Sequence, residues 1–186
     1  MTSSTEWHLE RYRALLRLLV RQFHLSPRFR GRFDSSDLVQ ETLLKAQGNI
    51  GQFRGTTEAE LIGWLQQILA NTLREEVRKA RAKVRDVALE QSLESAVADS
   101  SARLAAYLAD KRASPVEQAQ RQEQMLRVAA AINSLPEDQR TAVIQRDLLG
   151  ASVAEIAEQM GRTPKSVAGL LLRGRGALRR LLQDEQ

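Results

Sequence analysis

The sequence predicts an all-α protein made of two small helical domains joined by a linker. Apolar residues recur every three or four positions through long segments, as in Leu61, Leu65 and Leu69, and this spacing is typical of amphipathic helices. The alternation typical of strands is almost absent, and Gly and Pro fall between the periodic segments. We expect the two domains at residues 1–85 and 116–186.

The first and third helices of the first domain are predicted from their apolar stripes. The first stripe ends at Ser26-Pro27, because the residue before a proline is biased away from helix. Its members are Leu9, Tyr12, Leu15, Leu16, Leu19 and Phe23. The third helix runs from about Glu58 to Arg85, and its basic end is formed by Arg74, Arg78, Lys79, Arg81, Lys83 and Arg85.

A second, shorter helix is predicted between these two. It begins near Ser36 or Asp37, with Asp37 and Gln40 as a capping pair, and runs to about Gln47. The glycines that follow mark its end.

Residues 86–115 differ in composition from both flanks. They are rich in Ala and Ser and carry the carboxylates Asp86, Glu90, Glu94, Asp99 and Asp110. The composition fits a linker with partial helix, and it equally fits a surface helix that joins two halves.

The second domain contains two helix starts in quick succession. Ser152 and Glu155 form a capping-box pattern, and Thr163-Pro164 is typical of an N-cap followed by proline at the first helical position. Gly161 suits the end of the first helix. A short helix, a turn and a longer basic helix predict a helix-turn-helix, whose second helix enters the DNA major groove.

The charges of this longer helix support DNA binding. The stretch from Arg162 to Arg180 has no Asp or Glu, and its cations are Arg162, Lys165, Arg173, Arg175, Arg179 and Arg180. A phosphate backbone favours such a stretch. On these residues alone, a helical hairpin with a solvated basic face is an open alternative.

Composition narrows the function classes. The 186 residues include no Cys and carry a net charge of +5, which excludes disulfides and favours polyanionic partners. His8 and His24 lie near a predicted apolar helix, and neither metal-ligand spacing nor a phosphate-cradling glycine loop occurs. No apolar run approaches the roughly 20 residues of a membrane span, and no signal-peptide layout is present. We expect a cytoplasmic protein that is not an enzyme and has no metal, cofactor or membrane insertion.

Four segments in order resemble the extracytoplasmic-function sigma factors, members of the sigma-70 family of bacterial RNA polymerase. They are DLVQETLLKA at residues 37–46, QFRG at residues 52–55 with the tryptophan helix that reaches Ala70-Asn71, SLPEDQRTAV at residues 134–143, and the helix-turn-helix. The resemblance covers nearly the whole chain. It implies a promoter-specificity subunit whose two helical domains are joined by a linker.

The resemblance implies that the second helix docks on the clamp helices of the largest polymerase subunit. The residues implied in this contact are Asp37, Gln40, Glu41 and Leu44. Leu38, Val39, Leu43 and Leu44 would divide between this contact and the domain core. Without the resemblance, the acidic residues are better explained as an N-terminal cluster that only stabilises the helix dipole.

The resemblance also implies that the first domain holds the −10 strand of the promoter. Asn71 matches the family's base-reading position, Phe53 would line the loop that captures a base, and cations would hold phosphates. The full set is Phe53, Arg54, Asn71, Arg74, Arg78 and Lys79. The spacing of Trp64 with Leu61 and Ile68 favours a core position instead, and the cations are alternatively a solvated face.

For the second domain the resemblance implies binding of −35 DNA by Arg162, Lys165, Ser166, Arg173 and Arg175. At three consecutive positions, many family members carry Lys or Arg, then Ser, then Arg. This chain departs from them, with Ala168, Gly169 and Leu170 at those positions. This departure favours readout of DNA shape and backbone over base-by-base reading.

The implied partners are bacterial core RNA polymerase, through its clamp helices and flap, promoter DNA, and an anti-sigma factor as a candidate regulator. The acidic linker would thread the polymerase channel toward the RNA exit. Two other classes fit parts of the sequence. One is a stand-alone helix-turn-helix regulator, which would bind a palindrome as a dimer, and the other is a polymerase-binding module that does not read DNA.

Overall fold

The computed structural model describes residues 7–25, 34–80, 99, 102 and 115–183. The elements are α1 (Arg13–Leu25) after a 3₁₀ turn (Leu9–Tyr12), α2 (Ser35–Asn49) before a second 3₁₀ turn (Ile50–Gln52), α3 (Glu58–Ala80), α4 (Pro115–Ser134), α5 (Glu137–Val143) with a π-helical turn (Ile144–Leu148), α6 (Val153–Met160) and α7 (Pro164–Gln183). The predicted all-α fold is confirmed, and no strand occurs in the described part of the chain. Most of the predicted linker and the predicted end of the third helix, residues 81–85, lie outside the described residues.

Helices α1, α2 and α3 surround a core made mainly of leucine. Side chains from all three helices are at most 1% exposed, and they include Leu15, Leu19, Val39, Leu65 and Leu69. Full burial of one such side chain is worth about 1.5–3 kcal/mol, so this packing fixes which face of each helix points inward. The opposite faces of α2 and α3 are thereby left for solvent or a partner.

The start of α2 differs from its sequence-based prediction. Asp34 is the N-cap, and its carboxylate accepts hydrogen bonds from the backbone N–H groups of Ser36 at 2.7 Å and Asp37 at 3.4 Å. The prediction that Asp37 and Gln40 form a capping pair is therefore wrong. Gln40 instead accepts a hydrogen bond from the Arg13 guanidinium at 3.0 Å.

Helices α4 to α7 form the second unit. Arg140, in α5, is 9% exposed and donates to the backbone oxygens of Asn133 at 2.7 Å and Leu135 at 3.2 Å. Carbonyl groups at the end of a helix lack intrahelical partners, so this buried guanidinium closes the end of α4. It thereby fixes the turn from α4 into α5.

The two units pack against each other through α1 and α4, which the sequence did not predict. The Asn133 amide donates to the backbone oxygen of Ala14 at 2.7 Å, and Arg21 pairs with Glu137 at 3.3 Å. Burial first, then the charges of Arg140 and Arg17, lower the pKa of Arg21, while Glu137 acts to raise it. The contact therefore gathers like charges and contains a repulsive component.

Candidate polymerase and nucleic-acid interfaces

The predicted polymerase contact lies on the outer side of α2. Leu44 is 59% exposed, whereas Leu38, Val39 and Leu43 are at most 5% exposed, so these three leucines and one valine divide between core and surface. Asp37 and Gln40 are also exposed, and Glu41 is half-buried. The structure therefore places the four predicted residues, Asp37, Gln40, Glu41 and Leu44, where a partner can reach them.

Lys45 ties this face of α2 to α3. Its ammonium group lies 3.0 Å from a Glu41 carboxylate oxygen and 2.6 Å from a Glu75 oxygen. Partial burial acts to lower the pKa of Lys45, but the hydrogen bonds that Lys45 donates to Glu75 and then to Glu41 outweigh it and raise that pKa. Glu41 is therefore already held by a cation, which fixes its carboxylate at the edge of the exposed face.

The loop between α2 and α3 is anchored by a cluster of three aromatic rings. The Phe53 ring lies 5.2 Å from Trp64 in a tilted arrangement and 6.0 Å from Trp7 in an edge-to-face arrangement. Such ring pairs add about 0.5–1.5 kcal/mol to the burial of their area. Phe53 and Trp64 are both half-buried against the core, which agrees with the sequence preference for a core Trp64. The part of Trp7 in this cluster was not predicted, because no spacing rule joins residues so far apart.

The glycine of this loop has a clear structural reason. A Cβ atom on Gly55 would lie 2.3 Å from the Phe53 ring and 2.9 Å from the Glu60 side chain. Glu60 in turn accepts hydrogen bonds from the backbone N–H groups of Thr56 and Thr57, and these bonds lower its pKa. The Phe53 ring is thus held over the backbone just before α3 begins.

The outer face of α3 presents amides and then cations. Gln67, Asn71 and Arg78 are exposed and lie at helical spacing opposite the buried leucines. Arg74 is half-buried and donates a short hydrogen bond to the amide oxygen of Asn71. The position of Gln67, one turn before Asn71 on the same face, was not singled out from the sequence.

The remaining predicted −10 residues are also at the surface. Arg54 is exposed and donates to the backbone oxygen of Gly51 at 3.3 Å. Lys79 is exposed and lies 2.5 Å from Glu76, which raises the Lys79 pKa. The charge of Lys79 is therefore partly balanced by a neighbouring carboxylate.

The helix-turn-helix begins and turns as its sequence predicts. The Ser152 backbone N–H donates to Glu155 at 2.7 Å, and the Glu155 backbone N–H donates to the Ser152 hydroxyl at 3.2 Å. Gly161 ends α6 with φ of 61°, a conformation that favours glycine. The Thr163 hydroxyl accepts from the Ser166 backbone N–H at 3.2 Å, so Thr163 caps α7.

The inner face of α7 packs closely on α5. Leu170 and Leu171 are 7% and 5% exposed, so both belong to the core. A Cβ atom on Gly174 would lie 2.9 Å from the Val143 side chain, so glycine permits the close approach of the two helices. The outer face of α7 therefore carries Ala168 and Gly169 but not Leu170.

The predicted cations of this domain fall into two groups. Lys165 and Arg173 are exposed on α7, whereas Arg162 pairs with Asp138 and Arg175 pairs with Asp147. The Arg175–Asp147 pair is bidentate, with one contact of 3.0 Å, and the Asp147 side chain is only 10% exposed. Arg175 therefore has a structural role in holding α7 to the preceding turn.

Within the described ranges 7–25, 34–80 and 115–183, no group of three or more His, Asp or Glu side chains is arranged to hold a metal ion. No helix in this part of the chain is long and apolar enough to cross a membrane.

Comparison with known proteins gives the family. Residues 8–83 match the family model for Sigma-70 region 2, and residues 125–178 match that for Sigma-70, region 4. The ECF RNA polymerase sigma factor SigM of Mycobacterium tuberculosis is 30% identical over 170 residues, which cover 90% of this chain and 75% of SigM. The ECF RNA polymerase sigma factor EcfG of Rhodopseudomonas palustris is 33% identical over 148 residues, which cover 80% of this chain and 71% of EcfG.

The chain therefore belongs to the sigma-70 family, and it is an extracytoplasmic-function sigma factor of RNA polymerase. Promoter recognition is the function of this family, whose members are initiation factors and not enzymes. A solved structure of the sigma factor RpoE from Bartonella quintana, in complex with the anti-sigma factor NepR, is 22% identical, with a TM-score of 0.34 over 95% of this chain and 96% of that chain.

Proposed function

We propose that this sigma factor binds core RNA polymerase through α2, captures the −10 strand with the Phe53 loop and α3, and anchors −35 DNA with α7. In this proposal residues 1–85 form the polymerase- and −10-binding domain, residues 86–115 the linker, and residues 116–186 the −35-binding domain. The observation that carries the proposal is the presence of three exposed helix faces with different chemistry, each fixed by a buried apolar face of the same helix.

The face of α2 suits a protein partner with basic and apolar groups. It combines an exposed leucine, Leu44, with the carboxylates of Asp37 and Glu41 and the amide of Gln40. An apolar residue surrounded by charges of one sign is typical of an interface in which the apolar contact gives affinity and the charges guide association. The clamp helices of the polymerase are the proposed partner of this face.

The face of α3 suits an unpaired strand. Opening a promoter requires a base to be held outside the stack, which calls for an apolar or aromatic wall and an amide that reads the base edge. Asn71 supplies the amide, and the ring cluster at Phe53 supplies the aromatic surface near the start of the same helix. Arg74, Arg78 and Lys79 extend this face with the positive charge that phosphates require.

The face of α7 suits intact duplex DNA. Its exposed charges are all basic, and its first turn, with Lys165 and Ser166 after the Thr163 cap, offers backbone N–H groups and the positive end of the helix dipole to a phosphate. Arg173 adds a guanidinium able to bind guanine or phosphate. The flap of core polymerase and an anti-sigma factor are further proposed partners of the chain.

Run-off transcription with purified bacterial core polymerase and a genomic fragment library tests the proposal. We expect discrete transcripts that require this protein, and alignment of their starts should give one −10 and one −35 element. If the protein alone binds a palindrome and supports no transcripts, the stand-alone regulator is correct instead. Tight core binding without any promoter-dependent product would contradict the DNA-reading part of the proposal.

A further inference from the structure

One large apolar side chain stands in the middle of the outer face of α7. Leu172 is 77% exposed, although its neighbours Leu170 and Leu171 are buried in the core. A single exposed leucine is common and by itself requires no explanation. The surroundings of this one point to a ligand.

Leu172 lines a groove between the two helices of the helix-turn-helix. The groove is about 480 Å³ in volume, and its apolar part is formed by Val153 of α6 with Ala168, Leu171 and Leu172 of α7. Its other lining residues include Arg146 and Arg179, together with Arg175, whose guanidinium is paired with Asp147. An apolar floor with an arginine rim fits a ligand that is anionic at its edges and presents an apolar group at its centre.

The same face of α7 has glycine at two positions where the packing of the protein does not require it. A Cβ atom on Gly176 would meet nothing within 4 Å, and one on Gly169 would meet only the guanidinium end of Arg173, from 3.3 Å. Glycine weakens a helix interior relative to alanine, so these positions reduce helix stability without any gain in packing. They do allow a partner to approach the helix closely on either side of Leu172.

Duplex DNA matches this combination. In the major groove, thymine is the base that presents an apolar group, its C5-methyl, and a leucine or alanine side chain can distinguish it by contact. The phosphates on either side supply the negative charge that the exposed cations Lys165, Arg173 and Arg179 attract.

We propose that Leu172, with Ala168 beside it, reads the C5-methyl group of a thymine in the −35 element. This inference rests on the proposed binding of −35 DNA by α7. Readout of the −35 element would then include one direct base contact, at the base pair that faces Leu172, in addition to readout of DNA shape and backbone.

Deoxyuridine differs from thymidine only by the absence of this methyl group, so it isolates the contact. The complete holoenzyme, reconstituted from core polymerase and the full chain, is bound to its promoter with each −35 thymine replaced in turn by deoxyuridine. Removing one buried methyl group should weaken binding roughly fourfold at a single position. The Leu172→Ala holoenzyme should bind thymine and deoxyuridine at that position equally.

Leu181→Ala is the matched control, because Leu181 is also an exposed leucine of α7 but lies near its end, at 39% exposure. This variant should keep the wild-type sensitivity to deoxyuridine. The inference is overturned if no deoxyuridine weakens binding, or if Leu172→Ala retains the full sensitivity. Should Leu172→Ala bind every template as tightly as wild type does, Leu172 makes no contact with the DNA, and the inference is overturned in that case too.

A scrambled −35 element distinguishes failure of the thymine contact from failure of −35 binding by α7. If scrambling weakens wild-type binding but no deoxyuridine does, the thymine contact is wrong and −35 binding by α7 stands. If scrambling has no effect, the proposed function of α7 fails, and the inference fails with it.

Discussion

Helices α3 and α7 have the same internal design but different outer faces. Each buries a leucine stripe, and each carries arginines on its outer side, two on α3 and four on α7. On α3 the arginines are mixed with carboxylates, and the amides of Gln67 and Asn71 precede them. On α7 there is no carboxylate, and an exposed leucine lies between two glycines.

This difference separates two ways of binding DNA. Amides beside an aromatic cluster can hold single bases of an open strand, because each unpaired base offers both a ring face and a hydrogen-bonding edge. A basic helix with small residues on its outer face suits the major groove of an intact duplex, because such a helix can lie close to the base edges. The comparison predicts that variants of the two helices fail at different steps of initiation.

The largest effect is expected for Asn71→Ala. Loss of a base-reading amide should slow promoter opening about 10–100-fold, since one good base contact is worth about 1–3 kcal/mol. Opening is measured by the fluorescence of 2-aminopurine placed in the −10 element. Core binding should be unchanged, and Gln124→Ala, which removes an exposed amide of α4, should open promoters normally. Lost core binding in Asn71→Ala would assign this residue a structural role instead.

A charge reversal on α2 tests the exposed face of that helix, which is the proposed contact with core polymerase. Glu41→Lys should weaken core association about tenfold, because it repels basic groups of the partner and also breaks the 3.0 Å contact with Lys45. Affinity for core polymerase is measured by fluorescence anisotropy. Glu41→Gln should have a smaller effect, and Glu158→Lys, an equal reversal on the exposed side of α6, should have none. Equal losses for Glu41→Lys and Glu158→Lys would show that net charge, and not the α2 face, sets the affinity.

Two arginines of α7 should behave differently although they are two residues apart. Arg173→Ala should weaken −35 binding about fivefold and reduce the slope of log affinity against log salt by about 1, as expected for one lost phosphate contact. Arg175→Ala should instead lower the free energy of unfolding by about 1–2 kcal/mol, since it leaves Asp147, 10% exposed, without its guanidinium partner. Urea unfolding and salt-dependent binding distinguish them, and a reversed result would contradict the assigned roles.

The smallest effects concern two glycines of α7. Gly176→Ala should raise the free energy of unfolding by up to about 1 kcal/mol, because its Cβ atom meets nothing within 4 Å. Gly174→Ala should lower it by about 1 kcal/mol, because its Cβ atom would lie 2.9 Å from Val143 in the core. Urea unfolding of both variants checks the pair, and a stabilising Gly174→Ala would show that α5 and α7 can separate without cost.

Local features of this molecule were predictable from the sequence. The capping box of Ser152 and Glu155, the Thr163 cap and the Gly161 turn all depend on residues within a few positions of each other. The cap of α2 was not predicted correctly, because Asp34 and Asp37 flank two serines and either can cap a helix. Only the backbone conformation of Asp34, extended at φ −80° and ψ 121°, decides between them.

Contacts between distant segments were not predictable. The pairing of Arg175 with Asp147 and the packing of α1 on α4 join residues that no helical spacing relates. The choice among the consecutive residues Leu170, Leu171 and Leu172 also needed the structure, because a three-residue apolar run is compatible with several helix orientations. Asn71 and the polymerase face of α2 came from the resemblance to a family, and their contacts remain predictions.

Permanganate reactivity of promoter thymines tests the contrast between α3 and α7 most directly. With core polymerase and this protein together, we predict reactive thymines in the −10 element and unreactive thymines in the −35 element of the same complex. The reason is that α3 would hold an open strand while α7 lies on closed duplex. A specific, transcribing complex with unreactive −10 thymines, or with reactive thymines at −35, would contradict this account.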